Sequence, residues 1–449
     1  MSSQFQKKTA IIIGGSIAGL LAARTLLKHF EQVTLIERDM YPQEPNFRPG
    51  IPQGRQIHFT LLRGQRILEN LFPSFGAKLQ SHGAIPRDYG NESLYFYRDL
   101  CPRVSPILHG WNYSRLLLEW LIRQELNAYS NLKIIEGHEV THLLFEESSQ
   151  KVTGVQFRER NHTSPNNALQ DLHADLIVDA SGSSSHTSKW LEDLGYEAPR
   201  EEVVRIDLGY ATRFYEPHTD FKAPWKGIAI QASAHPPRGG LLMEIEGGRW
   251  MVVLSGTNGD YPPLENEAFL EFAHSLPSPA LYDALTNAKP DSKIFGYRYA
   301  ENCLRHFEQL PRQPEQFIIV GDALCNFNPI YGQGMTVAAL EGQILDECLQ
   351  KGMTKGFSHM FHKKVARMLA VPWMLATGAD RHDSNAKTRG FTSNLTRSYI
   401  DTIIAQLPQD PSLFLTFLEV VHMLRHPIWF FHPMVMLKTL TYQLRQQKK

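Results

Sequence analysis

The stretch Ala10-Ile11-Ile12-Ile13-Gly14-Gly15-Ser16-Ile17-Ala18-Gly19-Leu20-Leu21-Ala22-Ala23 decides the fold. Apolar residues run into a glycine turn and small residues continue at helical spacing, which predicts a strand, a tight turn and the start of a helix. Such a turn aims backbone N–H groups and the positive end of a helix dipole at one spot, where a pyrophosphate is stabilised. A helix over Leu20 to Phe30 and a second strand, Val33-Thr34-Leu35-Ile36, are expected next. That strand ends in Glu37, whose carboxylate can accept both hydroxyls of an adenosine ribose. The unit therefore reads as an ADP-binding βαβ opening. The turn itself is Gly14-x-Ser16-x-x-Gly19, with serine where the usual pattern has its middle glycine. Its Cβ could crowd the phosphates, and its hydroxyl could instead donate a hydrogen bond to them. Without a ligand the same residues make an ordinary buried βαβ unit; the acid at the second strand's end favours the dinucleotide. A secretory signal, suggested by Lys7-Lys8 before an apolar run, fails because Gly14, Gly15 and Ser16 break the run early.

Bulk properties narrow the ligand. The 449 residues are 42% hydrophobic and 20% charged, an ordinary globular balance for two or three domains. Forty-six basic and 46 acidic side chains give no net field to favour nucleic acid, so a small molecule is the expected partner. Cys101, Cys303, Cys325 and Cys348 are scattered, with no C-x-x-C pair, which argues for a reducing compartment and against a zinc site or disulfide framework. No apolar run approaches a membrane span, so a cytoplasmic protein, at most peripheral to a membrane, is expected.

Further along, a polar stretch from Arg38 to Pro52 leads to Gln53-Gly54-Arg55-Gln56-Ile57-His58 and a helix over Leu61 to Phe72. A loop leaving the second strand passes close to a bound dinucleotide, so Arg55 is a candidate for the pyrophosphate, with a solvated surface arginine as the equal alternative. His58 reads as structural. Extended pieces are expected at Leu94 to Arg98 and Arg103 to Leu108, then an amphipathic helix from Tyr113 to Ala128 with Arg115 in its first turn. A cation there opposes the helix dipole, which a nearby anionic ligand would explain. Leu132 to Glu136 and Val152 to Arg160 suggest a hairpin-like piece around Thr141 to Phe145, and Asn161 to Asn167 a loop. Ala174 to Asp179 is an apolar strand that stops at Ala180-Ser181-Gly182. From Val203 to Tyr299 strands dominate, and alternation in Leu242, Glu244, Glu246 and Trp250, Val252, Leu254 predicts a sheet with one face covering something apolar. A buried strand, Gln316 to Val320, then ends in Gly321-Asp322, and Pro329-x-x-Gly332-x-Gly334 launches a long helix whose N-terminus can oppose negative charge. Beyond Gly356 helices are expected at Phe357 to Leu375, Leu395 to Leu407, Leu413 to Arg425 and Met434 to Leu444. Phe414, Phe417, Leu418 and Val421 at helical spacing pack most simply on the body. Trp429, Phe430, Phe431 and Met434 with Lys438, Arg445, Lys448 and Lys449 offer a peripheral membrane contact as a second use of the tail.

Three pieces in order, Gly14 to Gly19 with Glu37, Asp179 to Gly182, and Gly321-Asp322 through Gly334, resemble the FAD-dependent monooxygenases that share the fold of p-hydroxybenzoate hydroxylase and squalene epoxidase. The resemblance implies an α/β fold: a Rossmann-like ββα three-layer FAD domain in residues 1–200 and 299–355, with short substrate-domain strands near 90–110. A mostly antiparallel β-sheet substrate domain is inserted over 201–298, and a helical region follows over 356–449. It implies Glu37 on the adenosine ribose, Asp322 on the ribityl chain and Pro329 to Gly334 beneath the flavin. Arg55 and Arg115 look like the family's arginines near the pyrophosphate and flavin chain. The full expected cofactor set is Gly14, Gly15, Ser16, Ala18, Gly19, Glu37, Arg38, Arg55, Arg115, Gly182, Asp322, Pro329, Gly332, Gln333, Gly334 and Met335. Tyr331 is a guess at a residue facing the reaction, and no metal is expected.

Two departures are informative. Cys325 stands where aromatic hydroxylases carry the histidine of G-D-A-x-H, and Gly334-Met335-Thr336-Val337-Ala338 is closer in style to the alkene epoxidases. Ser181, Gly182, Ser185 and Ser188 align with D-G-x-x-S-x-x-R, and the lost acid and arginine put the mode of nicotinamide binding in question. No second glycine fingerprint exists for a resident nicotinamide, which fits NAD(P)H as a transient reductant. The resemblance thus implies a monooxygenase that inserts one oxygen atom from O2, through a flavin hydroperoxide, into a hydrophobic unsaturated small molecule, with epoxidation favoured. An aromatic-ring hydroxylase, a reductase of isoprenoid double bonds and a non-catalytic flavin-binding sensor are the alternatives.

Overall fold

A computed structural model describes residues 8–96, 98–104, 108–160, 168–232, 237–380 and 391–446. Its centre is a five-stranded parallel sheet in the order Phe317–Ile319, Leu176–Asp179, Thr9–Ile13, Gln32–Ile36, Leu132–Ile135. Each strand is a short apolar run because both faces are covered. Helices Ile17–Leu26, Arg115–Leu126 and Gly334–Leu349 form one outer layer. An antiparallel three-stranded sheet, His138–Glu146, Lys151–Glu159 and Gln170–His173, forms the other. Since all five central strands run the same way, Gly14, Glu37, Ala180 and Gly321 follow their carboxyl ends at one edge.

Several expectations need redrawing. The first helix spans Ile17–Leu26 and stops before Phe30. Leu132–Ile135 is no part of a hairpin; it pairs in parallel with Gln32–Ile36, and the hairpin partner of Lys151–Glu159 is His138–Glu146. Four residues with apolar bias fit either kind of sheet, and only the long-range pairing separates them. The strand expected over Arg103–Leu108 is absent at Arg103, Val104 and Leu108, residues 105–107 lie outside the described residues, and a strand begins at His109. The loop expected at residues 161–167 also lies outside them.

A second sheet, antiparallel but for one pair, is built on Glu201–Pro217, Gly227–Gln231, Arg238–Glu244, Trp250–Thr257 and Phe295–Arg305. Phe295–Arg305 continues past residue 298 and pairs with Glu201–Pro217 as far as Arg305. Ser93–Phe96, from much earlier in the chain, adds to it as a parallel partner of Gly227–Gln231. Both faces are buried. Leu242, Trp250, Val252 and Leu254 pack against helices Asn266–His274 and Ala280–Leu285, while Tyr210, Met243, Val253 and Tyr299 gather with Ile57 on the opposite face. The alternation was legible, but what each face covers was not.

The C-terminal helices are Phe357–Asp380, Phe391–Gln406, Pro411–Val421 and Pro433–Gln446. Ile403, Leu407, Leu413, Phe414 and Leu418 form one core with Tyr89, Phe96 and Leu108, so the tail is seated over the outer edge of the second sheet. Among the described residues no helix is long and apolar enough to cross a membrane.

Candidate active site

The glycine turn is shaped by close approaches of backbone. Gly14 sits at φ +95°, and a Cβ there would lie 2.6 Å from Ala180 O on the neighbouring strand's end. A Cβ on Gly19 would run into Gly14 O. Ser16 is the N-cap of the first helix, makes no side-chain cap bond, and no acid occupies the first turn, so the helix's leading N–H groups are left for an anion. The Ser16 Oγ accepts from Arg115 Nη2 at 2.7 Å, which leaves its own proton free to donate. Arg115 begins helix Arg115–Leu126, whose N-cap Ser114 accepts from Leu117 N–H at 3.1 Å. Its guanidinium is buried, 3.7 Å from Glu119, and its Nε has no partner. Burial holds Arg115 below the usual arginine range, with Glu119 and Asp322 opposing.

Glu37 is more committed than the sequence suggested. Its Oε2 accepts from Gly15 N–H at 2.6 Å and its Oε1 from Asp39 N–H at 2.9 Å, while Arg48 lies 3.0 Å from Oε1. A carboxylate has about four lone-pair sites, so roughly one is left for a ribose hydroxyl rather than two. Arg48, which the sequence reading passed over, is the hub. It contacts Asp39 at 3.0 Å and Glu119 at 2.9 Å and donates to Gly15 O at 3.2 Å. Arg55, in the same loop, lies against the neighbouring rings of Phe47 and Phe295, 4.9 and 5.4 Å from their centroids. Nothing in a proline-bearing polar loop marks which arginine turns inward; only the buried acids it meets do so.

At the fourth strand tip Gly321 has φ +65°, and a Cβ there would sit 2.6 Å from Ala18 Cβ, so strand end and first helix touch. Gly321 N–H donates to Glu341 Oε2 at 2.8 Å. Burial pushes the Glu341 carboxyl up to about 8, and its Oε1 has no partner. Burial likewise raises Asp322, with Arg115 pulling the other way. Beyond it Asn328 Oδ1 accepts from Ile330 N–H at 3.1 Å and fixes the turn into Gly332, which lies at φ +62° against Phe59. Helix Gly334–Leu349 then starts without a side-chain cap and with no acid in its first turn, and Gln333 Oε1 beside it is buried and unpartnered. His58 Nδ1 lies 2.8 Å from Gln56 O and donates to it as the neutral ring; burial and Arg115 press its pKa down to about 3.

These parts surround one cavity of about 1740 Å³. Every residue of the expected cofactor set lines it except Gly19, which serves packing, and Arg55. Tyr331 and His58 line it too. Asp179 does not: its carboxylate is buried and spent on Ser181 N–H at 2.9 Å, Ser185 Oγ at 2.5 Å and Thr187, which shapes the loop carrying Gly182. The far half of the cavity is mostly apolar, walled by Leu241 and Val253 of the second sheet and roofed by Ile403, Phe417, Leu418 and Phe430, with the buried Arg87–Glu92 ion pair also on its lining. That roof was missed, although the run Leu413-Phe414-Leu415-Thr416-Phe417-Leu418 is apolar nearly all round, the mark of a helix with two faces to cover.

The volume exceeds the ~300–1,000 Å³ of common ligand pockets and leaves room for a dinucleotide and a second molecule together. Two uncapped helix N-termini, the Ser16 hydroxyl, Arg115 and the buried acid Asp322 supply the donors, cation and acceptor that FAD's pyrophosphate and ribityl chain require, and orphaned Gln333 Oε1 awaits a donor. FAD fits this site. Among solved structures, that of the flavin-dependent brominase Bmp2 matches 93% of this chain and 99% of its own, at TM-score 0.64 and 14% identity. The fold is that of the flavin-dependent monooxygenases and halogenases. No family model matches the sequence. Among curated relatives, Protein Rv3254 of Mycobacterium tuberculosis is 28% identical over 380 residues, 82% of this chain and 79% of that protein. Kynurenine 3-monooxygenase of Sus scrofa is 23% identical over 372 residues, covering 78% and 70% respectively. The expected cofactor residues thus gather at the strand-tip end of the cavity, and Leu241, Val253, Phe417 and Phe430 line it beyond them.

Proposed function

We propose that the chain is an FAD-dependent, NAD(P)H-reduced monooxygenase that inserts one oxygen atom from O2 into a hydrophobic unsaturated small molecule, by epoxidation. Bound FAD supplies the redox and oxygen chemistry. The turn Gly14 to Gly19 and Arg115 hold its pyrophosphate, Glu37 its adenosine ribose and Asp322 its ribityl chain. The N-terminus of helix Gly334–Leu349 stabilises negative charge on the ring, and the apolar roof excludes water from the reacting atoms.

The observation that carries the choice of substrate is the pairing of an apolar chamber with histidines that stay neutral. His58 at the flavin turn and His422 in the roof are both pressed down to about 3 by burial. Neither is matched to taking a proton from a phenol at neutral pH, and an alkene needs no deprotonation. A peripheral membrane contact through the C-terminal helices belongs to the same reading. The test is product analysis by mass spectrometry from polyenes and phenols with isotopically labelled O2. One labelled oxygen added across a double bond supports epoxidation; a hydroxylated ring, or a saturated bond without label, replaces it with the aromatic hydroxylase or the reductase.

A further inference from the structure

The last helix is inside out. In Pro433–Gln446 the side facing the protein presents Val435 and Thr439, with Thr439 fully buried, while Leu437, Leu440 and Leu444 are 62%, 54% and 61% exposed. These leucines recur at helical spacing on the face opposite Thr439, with Met436 beside them. Ile428, Trp429 and Phe431 in the preceding turn Pro427–Phe431 are exposed as well. A contiguous apolar surface of this kind marks an interaction site.

Two observations identify what covers it. After Glu419 the sequence contains no aspartate or glutamate, while Arg425, Lys438, Arg445, Lys448 and Lys449 are basic; Arg425 pairs with Glu419 at 2.8 Å and Lys438 with Asp410 at 2.7 Å, which leaves Arg445, Lys448 and Lys449 as the excess positive charge of the sequence. Arg425 lies 4.6 Å from the Trp429 ring centroid, a cation beside an amphipathic ring, as at a lipid–water boundary. Second, the surface is continuous with the chamber: Phe431, 44% exposed, and Val421 at the end of helix Pro411–Val421 lie on the outside and also line the cavity.

We propose that helix Pro433–Gln446 and the turn Pro427–Phe431 dock on an anionic phospholipid bilayer, and that the rim at Val421 and Phe431 opens onto it, so that an apolar substrate enters from the lipid. Leucines and Trp429 enter the interface while the basic side chains meet headgroup phosphates. The docking stands on the helix itself; the entry route rests on the proposed hydrophobic substrate.

The test uses the FAD-loaded full chain, sedimented with phosphatidylcholine vesicles with and without phosphatidylglycerol, against a triple variant Leu437→Glu, Leu440→Glu, Leu444→Glu. Wild type is expected to sediment with the anionic vesicles and to be released by salt, and the variant to bind at least tenfold more weakly while keeping its flavin spectrum. Equal partition of the two proteins, or wild type left in the supernatant, overturns the docking. So does a wild-type dimer in solution that the triple variant abolishes, which would assign this face to a second copy. Retained flavin with no vesicle binding sinks the docking alone, whereas colourless protein in both forms sinks the flavin reading instead.

Discussion

The two halves of the cavity are made by different means. At the cofactor end, the strand tips and the loops and helix starts beside them set the geometry through positive-φ glycines, uncapped helix starts and a buried ion cluster around Arg48. At the end proposed for the substrate, the walls come from a sheet and from C-terminal helices well separated in sequence, and they are held by apolar packing. The first half is specified by local motif and counted hydrogen bonds, and the second by shape. A change at one end should therefore leave the other largely untouched.

The strongest test of that separation is Asp322→Ala, which should strip FAD from the purified protein, read as the ratio of flavin to protein absorbance; full retention would remove Asp322 from the ribityl chain. Arg48→Met comes next. It leaves the buried Glu37 carboxylate without a cation and removes one of two from Asp39 and Glu119, which keep Arg160 and Arg115, and a loss of about 3–5 kcal/mol in denaturant unfolding is expected. Glu341 tests the same region by pH. Its folded pKa of about 8 is above the unfolded value, so its contribution is full below about 4.5 and fades as pH rises toward 8. Glu341→Gln imitates the protonated form and should flatten that decline, by an amount on the order of a few kcal/mol across the window; an unchanged pH profile would mean the carboxylate is already ionised. Glu37→Ala should weaken FAD by about 1–3 kcal/mol in fluorescence titration. Smallest of all, Phe417→Ala in the roof should shift FAD affinity by less than ~0.5 kcal/mol while raising KM for a polyene. A large flavin defect there would erase the distinction between the halves.

That distinction also governs what was legible in sequence. Strand, turn, helix and Glu37 are consecutive, so the pattern from Ala10 to Glu37 announces itself, and Gly321-Asp322 through Gly334 does so for the same reason. Leu132–Ile135 was assigned to the wrong sheet because four apolar residues carry no trace of their partner. Arg48 and Arg55 are seven positions apart in one loop with no periodicity, and the inward one is chosen by acids at positions 37, 39 and 119. Of the alternating positions Leu242, Glu244, Glu246 and Trp250, Val252, Leu254, the four apolar ones form a buried face while Glu246 lies outside the strand, and the chamber is on the other side. Helix Pro411–Val421 was expected to pack on the body, and through Phe414 it does; that Phe417 and Val421 look into a cavity depends on where the whole helix comes to rest.

The parallel pairing of Ser93–Phe96 with Gly227–Gln231 has a consequence for biosynthesis. A segment made early must wait for one made more than 130 residues later, while the central sheet waits for Phe317–Ile319. Neither layer can close on a ribosome that has released only the first half of the polypeptide, so the nascent chain carries unpaired strand edges for most of its translation. On the proposed assignment of Asp322 to the ribityl chain, capture of the cofactor waits until that residue has emerged, and flavin supply becomes a condition of the final folding step and not of the early ones.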